Sequence, residues 1–321
     1  RKVSDIKTGE EVWSFFTDAP FRVAPVVWKD RLFANSDDGR LYCITADQGK
    51  LLWKKEPRAD IYKLGNNRMV SNWPSRGGIA IKNDVLYYGV GIWPSDGIDI
   101  FAIDPETGNV KWVNNDSGEM WYKQPHGAAE AYSGISSQGY LVVTDEHVIV
   151  PTGRSVPAGF DISTGKLAYY HLQEYGSYGG DRVFANNDYL FITTGNTRDY
   201  EEIIGDTNGI FGERDGKQIV NQQLNSPGLA ISPKYIISVD ANNLQLKAYD
   251  AKNFLKQTKS KDRKGNEITA YKLNEPLWTV QTIEKAQTIS LIMAGNKIIV
   301  GTTNGKVTII DADKKDIEWA S

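Results

Sequence analysis

One cysteine, Cys43, stands in a chain of 321 residues, so no internal disulfide can form and cysteine usage does not report the compartment. Histidine is almost as scarce, with only His126, His147 and His171. No Gly-x-Ser-x-Gly elbow is present, and three histidines in unrelated settings leave little from which to build a serine triad. A phosphate-binding Walker loop and paired Cys/His zinc spacing are also missing. Asp206-Thr-Asn208-Gly209 resembles a fragment of a calcium loop but lacks the later Glu, so it reads as a turn and no metal is expected. No apolar run approaches the roughly 20 residues of a membrane helix. The net charge of −3 gives no footprint for nucleic acid. No leader peptide starts at Arg1, and the first residues read as the middle of a repeat.

Aromatic residues are plentiful: nine Trp and sixteen Tyr suit a β-rich fold and, less specifically, a sugar-binding surface. They recur in register. Asp5-Ile-Lys-Thr-Gly9 leads to Trp13, Ala46-Asp-Gln-Gly49 to Trp53, Asp104-Pro-Glu-Thr-Gly108 to Trp112, and Asp161-Ile-Ser-Thr-Gly165 to Tyr169. A last copy, Asp311-Ala-Asp-Lys-Lys315, leads to Trp319 with Lys in the Gly position. Two copies are weaker: Arg214-Asp-Gly216, and Asp250-Ala-Lys-Asn253, which runs into a polar insertion before Trp278. Gly tolerates positive φ at a tight connection, Asp and Thr bond the nearby backbone, and each Trp is expected to pack between neighbouring units.

Before each turn lie short alternating strands. In 23–56 they read Ala24–Trp28, Arg31–Asn35, Arg40–Ile44 and Lys50–Lys54. Four antiparallel strands per repeat of roughly 40 residues indicate an all-β propeller. Complete blades are expected near 23–56, 77–114, 139–172, 182–222, 226–281 and 288–320, with 1–16 supplying the closing strands of another. The expectation is one propeller domain over 1–321, trimmed at one or both ends, with seven or more blades when intact. Two packed β-sandwiches would have no reason to repeat this turn and Trp.

The A/D-x-x-T-G-x-x-x-W unit resembles the repeat of the PQQ-like, quinoprotein-type β-propeller superfamily, across nearly the whole chain. Arg76-Gly-Gly, Gly91-Ile-Trp-Pro-Ser-Asp-Gly97, Gln124-Pro-His-Gly127, Gln138-Gly-Tyr-Leu141 and Pro151-Thr-Gly-Arg154 resemble a bacterial, often extracytoplasmic, subset. The resemblance implies a periplasmic or secreted protein. Quinone enzymes of the superfamily typically carry adjacent cysteines, a calcium site and a catalytic Asp. Cys43 stands alone, so pyrroloquinoline quinone is not expected, nor is any other cofactor.

Strands running A to D outward put A–B and C–D turns on one face and B–C and D–A connections on the other. The first set is short, as at Lys29-Asp30, Asn83-Asp84, Asn187-Asp188 and Gly295-Asn296, and that face reads as minimal. The second set is long and carries Arg76, Trp93, Trp121, His126, Tyr132, Arg154, Tyr175 and Arg182. Long loops on a rigid scaffold are where binding and catalysis reside. One reading is an enzyme that binds acidic polysaccharide and cleaves it by β-elimination. His126 would be the base and Tyr132 or Tyr175 the acid. Arg76, Arg154 and Arg182 would hold the uronate carboxylate while Trp93 and Trp121 stack on sugar rings. Bland readings stand beside these roles: the arginines pair with loop acids, His126 bonds a turn, and the tryptophans pack loops together. The alternative function is a non-catalytic scaffold, similar to PQQ-like propellers that assist outer-membrane protein insertion. Trp13, Trp53, Trp112, Trp278 and Trp319, with His147 and His171, read as structural, and the Lys-rich stretch 256–264 as a solvated loop.

Overall fold

Most of the recurrent turns are closed by an aspartate, and in the copy that begins at Ala46 the Thr45 hydroxyl accepts the N–H of Lys50 instead. The carboxylate of Asp104 accepts the N–H groups of Glu106 and Thr107, and that of Asp161 those of Ser163 and Thr164. Asp250 does the same in one of the weaker copies, and Asp311 in the last copy. The glycine that follows sits at φ +67° to +76° in Gly49, Gly108 and Gly165, and Lys315 accepts +63° in the copy that lacks it. A β-carbon on Gly49 would lie 2.5 Å from the ring of Trp13, and one on Gly108 3.1 Å from Trp53. Gly165 lies in the same way under Trp112, and Gly216 under Tyr169. Where a ring overlies it, the glycine is therefore favoured twice, by its dihedral and by the preceding repeat's aromatic side chain.

These turns join strands into six four-stranded antiparallel sheets in the computed structural model. It describes all residues except 1, 6–7, 57, 66, 125–128, 154, 173, 175–178, 181, 195–206, 227, 241–244, 262–263, 282–288 and 321. The sheets are the blades of an all-β propeller fold, and the chain divides into two compact units. The first covers residues 1–183 with 214–216. It holds the hairpin Lys2–Ser4/Glu11–Ser14, then blade I (Val26–Trp28, Arg31–Asn35, Leu41–Thr45, Leu51–Lys55). Blade II (Ala80–Lys82, Val85–Val90, Asp99–Ile103, Val110–Asn114) and blade III (Val142–Val143, His147–Val150, Ala158–Asp161, Leu167–Tyr169) complete it. The second unit holds blade IV (183–225, apart from Val183 and the turn 214–216), blade V (229–281) and blade VI (289–320).

Period-two alternation places the core between blades. In blade I, Leu32, Ala34 and Ile44 pack with Trp13 of the hairpin, whereas Phe33, Leu41 and Cys43 pack with Leu86, Tyr88 and Ile103 of blade II. Tyr87, Ile100 and Ala102 of blade II face Val148, Val150 and Phe160 of blade III. Within the second unit, Phe191 and Ile210 meet Ile236 and Tyr249, and Ile237 and Leu246 meet Ile298 and Ile310. Two motifs of the sequence also meet: Gly77-Gly78 pairs in parallel with Gly139-Tyr140. A β-carbon on Gly78 would strike the Tyr140 ring.

Three expectations need correction. Within the stretch 256–264, residues 256–261 belong to a hairpin strand, Leu255–Lys261 paired with Glu267–Leu273, which interrupts the C–D connection of blade V, so the short-turn face is not minimal there. Its ladder of seven residue pairs and its packed base stabilise what composition alone presents as a loop. Thr207–Gly212 is a strand of blade IV, with Gly209 paired to Ile192, rather than a turn. Trp319 is 50% exposed, unlike Trp13 and Trp278 at 9% and 8%, because its strand, Asp316–Ala320, is solvent-facing at every residue.

Candidate functional site

In the first unit, backbone hydrogen bonds sort the connections onto two faces as strand parity requires. Short turns bond short turns: Ala46 N–H donates to Asp30 O at 2.8 Å and Ile162 N–H to Glu146 O at 2.9 Å. Long connections bond long connections: Ser75 N–H donates to Ser36 O, Gly91 N–H to Pro74 O, and Gln138 N–H to Pro151 O, at 3.0–3.1 Å.

The long connections are themselves structured. After blade I the chain forms a hairpin, Tyr62–Gly65 with Arg68–Ser71, and after blade II another, Trp121–Lys123 with Glu130–Tyr132. Both present large apolar groups to solvent. Leu64 is 78% exposed, Met69 63%, Trp121 57% and Tyr132 52%, with Trp93 at 54% beside the 3-10 turn Pro94–Asp96. Trp121 and Tyr132 are cross-strand partners in edge contact, their ring centroids 5.0 Å apart, and the Trp121 indole N–H donates to Glu130 at 2.8 Å.

Arg76 stands in a different group. Its guanidinium donates to both carboxylate oxygens of buried Asp37, at 3.0 and 3.3 Å, and Arg22 adds a third bond at 2.6 Å. Neighbouring Asp38, also buried, accepts the Tyr42 hydroxyl at 2.6 Å. Burial, reinforced by that carboxylate, pushes the Tyr42 phenol well above its ordinary range. A recess of about 200 Å³, room for one side chain, opens here between Asp18, Asp38, Tyr62 and Met69. Farther along, Arg58 clamps buried Asp99 through three bonds of 2.5–2.9 Å, and Lys63 pairs with Asp96 at 2.6 Å. Trp73 is buried and donates to Asp96 O at 2.6 Å, so it braces this layer.

Of the residues singled out by sequence, Tyr132, Trp121, Trp93 and Arg76 thus lie among the long connections, and Arg182 is exposed just before Val183. His126, Arg154 and Tyr175 lie outside the described residues. His147 is buried in blade III against Tyr169, and His171 bonds Asp215 O at 2.6 Å and Glu174 at 3.1 Å. Sequence reading missed Arg22, Asp37, Arg58 and Asp99. An acid flanked by isoleucines, Ile98-Asp99-Ile100, was the available signal for the last. The donor set does not fit a quinone site with paired cysteines: Cys43 is the chain's one cysteine, and burial pushes its thiol up to about 11.

Residues 2–198 match the family described as outer membrane protein assembly factor BamB. Among solved structures, BamB from Moraxella catarrhalis is similar at a TM-score of 0.53 and 13% identity, over 95% of this chain and 74% of that one. A europium-containing methanol dehydrogenase aligns at a TM-score of 0.49 and 11% identity, over 98% and 73% of the two chains. The quinohemoprotein alcohol dehydrogenase ADHIIG from Pseudomonas putida HK5 aligns at 0.46 and 14%, over 96% and 67%. No curated protein matches the sequence.

Proposed function

The chain belongs to the family described as outer membrane protein assembly factor BamB, and on that basis we propose that it is a periplasmic, non-catalytic platform whose long-loop face docks a polypeptide partner. One observation carries the choice of face: the exposed apolar and aromatic side chains of the first unit's two loop hairpins, Leu64, Met69, Trp121 and Tyr132, stand on backbones fixed by ladder pairing. Exposed apolar groups on rigid elements supply the anchors of an interface without a large ordering cost. The recess beside Asp38 would take one side chain of the partner, and Trp93 would extend the contact area.

Arg76 suits this reading better than carboxylate capture. Two of its five N–H donors already serve Asp37, and that buried carboxylate offsets the charge a uronate would be attracted to. The arginine positions the loops.

The test is complementation. In cells lacking the gene, the wild-type chain should restore levels of folded outer-membrane proteins. The triple variant Leu64→Ser, Met69→Ser, Trp121→Ser should fail to do so while melting like the wild type. Full complementation by that variant would sink the proposal. So would release of ultraviolet-absorbing unsaturated uronates from an acidic polysaccharide by the purified chain, abolished by His126→Ala, which would establish elimination chemistry instead.

A further inference from the structure

The recess beside Asp38 has a larger neighbour. Residues 15–21, which lead from the hairpin Lys2–Ser4/Glu11–Ser14 into blade I, line a second recess of about 380 Å³. Asp18, Ala19 and Pro20 line both, so the two hollows share a wall. That wall is held from behind. The Thr17 and Ser36 hydroxyls donate to Ala19 O at 2.7 and 3.0 Å, and Asp37 N–H donates to Pro20 O at 3.0 Å. Beyond the wall the larger recess is aromatic, with Phe15, Phe16 and Phe21 around it. Phe16 is 77% exposed, whereas Phe15 and Phe21 meet the ring of buried Tyr42 edge-on, centroids 5.6 and 6.2 Å apart. The hydroxyl end of the same Tyr42 reaches Asp38 in the smaller recess.

The smaller recess is lined by three carboxylates, those of Asp18, Asp37 and Asp38, and by no cation among the described residues. Arg22 and Arg76 both bond Asp37, while the Arg40 guanidinium is taken by Glu56 and Asp60. Asp38 accepts the Tyr42 hydroxyl and the Arg40 backbone N–H. Neither Asp38 nor Asp18 forms an ion pair among the described residues. Three carboxylates against Arg22 and Arg76 leave this group one cation short of neutrality. Asp38 is 2% exposed, so the fold has already stripped its carboxylate of most of its water. A buried charge without a counter-charge is costly to hold, and the low local dielectric that raises the cost also strengthens its attraction for a cation.

We infer that the paired recesses bind a polypeptide segment in which a lysine or arginine neighbours a large apolar side chain. The cation enters against Asp38, and the apolar group lies against Phe16. Side chains i and i+2 of an extended segment project to one side about 7 Å apart, which suits anchors on either side of a short wall. Tyr62 and Met69 line the smaller recess and can cover the methylene stem of a basic side chain while its head meets the carboxylate. An acidic or purely apolar segment would leave Asp38 without its counter-charge. This assignment rests on the platform reading, which makes the occupant a polypeptide, and adds the side chains that the occupant must carry.

The experiment is fluorescence anisotropy of labelled peptides titrated with the full chain. One peptide repeats Phe-Ser-Arg-Ser, and two others carry Gln or Glu in place of Arg. The Arg peptide should bind about tenfold more tightly than the Gln peptide, the effect of one charge-assisted bond to a buried carboxylate. The Glu peptide should bind more weakly still. Asp38→Asn should erase the preference for Arg. It keeps polar atoms for Arg40 N–H and the Tyr42 hydroxyl and removes an uncompensated buried charge, so its melting temperature should hold or rise. A carboxylate with a purely structural role would not give that pair of results. Phe16→Ser, at a ring already mostly exposed, should weaken the Arg peptide roughly threefold or more and leave the preference over Gln intact. The inference is overturned if the Gln peptide binds as tightly as the Arg peptide, if no peptide binds, or if Asp38→Asn retains the preference. Tightest binding of the Glu peptide would also overturn it, by making Arg22 and Arg76 the attraction. Where the wild type complements and the triple loop variant fails, equal binding of the Arg and Gln peptides removes this inference alone and leaves the platform reading standing.

Discussion

On the short-turn face, the first unit repeats one small device: a tight turn whose glycine, in Gly49, Gly108 and Gly165, lies beneath the aromatic ring of the preceding repeat. On the long-loop face no two connections are alike. One is a hairpin beside a double-arginine clamp on Asp37, and another is a hairpin whose exposed side joins Trp121 to Tyr132. The first face is held by shape and dihedral preference, the second by a few buried carboxylates. Repetition leaves little freedom to vary, because each turn must fit its neighbour's ring. Clamped loops can vary in length and side chain so long as the buried ion pairs survive, which is the freedom a binding face needs.

The largest expected effect tests the ring-on-glycine contact. Gly165→Ala adds a β-carbon at φ +71° against the Trp112 ring, whereas Gly9→Ala adds one at φ +74° with nothing within 4 Å. The dihedral cost of about 1 kcal/mol is common to both. Overpacking adds about 1–3 kcal/mol only at Gly165. Denaturant melts should therefore place Gly165→Ala well below Gly9→Ala, and equal losses would mean that the ring contact contributes nothing.

On the loop face, Arg58→Met and Asp99→Asn should be unequal. Arg58→Met strands a carboxylate whose side chain is 5% exposed, while Asp99→Asn leaves an arginine that is 30% exposed and can rehydrate. About 3 kcal/mol is expected for the first and about 1–2 kcal/mol for the second. Reversed order in urea melts would mean that the clamp holds the arginine for the sake of the carboxylate's surroundings, not the converse.

The difference between the faces also explains what could be read from sequence. Turn, Gly and Trp lie within about ten residues of one another, so the repeat, the blade spans and the strand parity were legible. The partners on the loop face lie far apart: Arg58 and Asp99 are 41 residues apart and Arg76 and Asp37 are 39 apart, distances over which no local pattern operates. Arg76 and Trp121 stood out by residue type, but sequence could not say that one is already bonded and the other exposed. The insertion in blade V was visible as polar composition, and its ladder was not, because Lys-rich strands carry little β-propensity.

The smallest effect concerns the turn aspartates. Side-chain and backbone donors of Thr164 and Ser163 converge on Asp161 and hold its carboxyl down to about 2, against an ordinary value of 3.8. A depressed folded value means stability that is fully present above the unfolded pKa and lost as pH falls from about 4 toward 2. Solvent screening at this surface turn leaves about 1 kcal/mol or less of that linkage. Asp161→Asn keeps one oxygen to accept the turn's N–H groups but removes the titration. Its deficit relative to the wild type should thus shrink between pH 4 and pH 2, as followed by urea melts across that window. A deficit that stays constant would show that the carboxylate acts by shape alone, and that the repeated aspartate serves turn geometry without contributing charge.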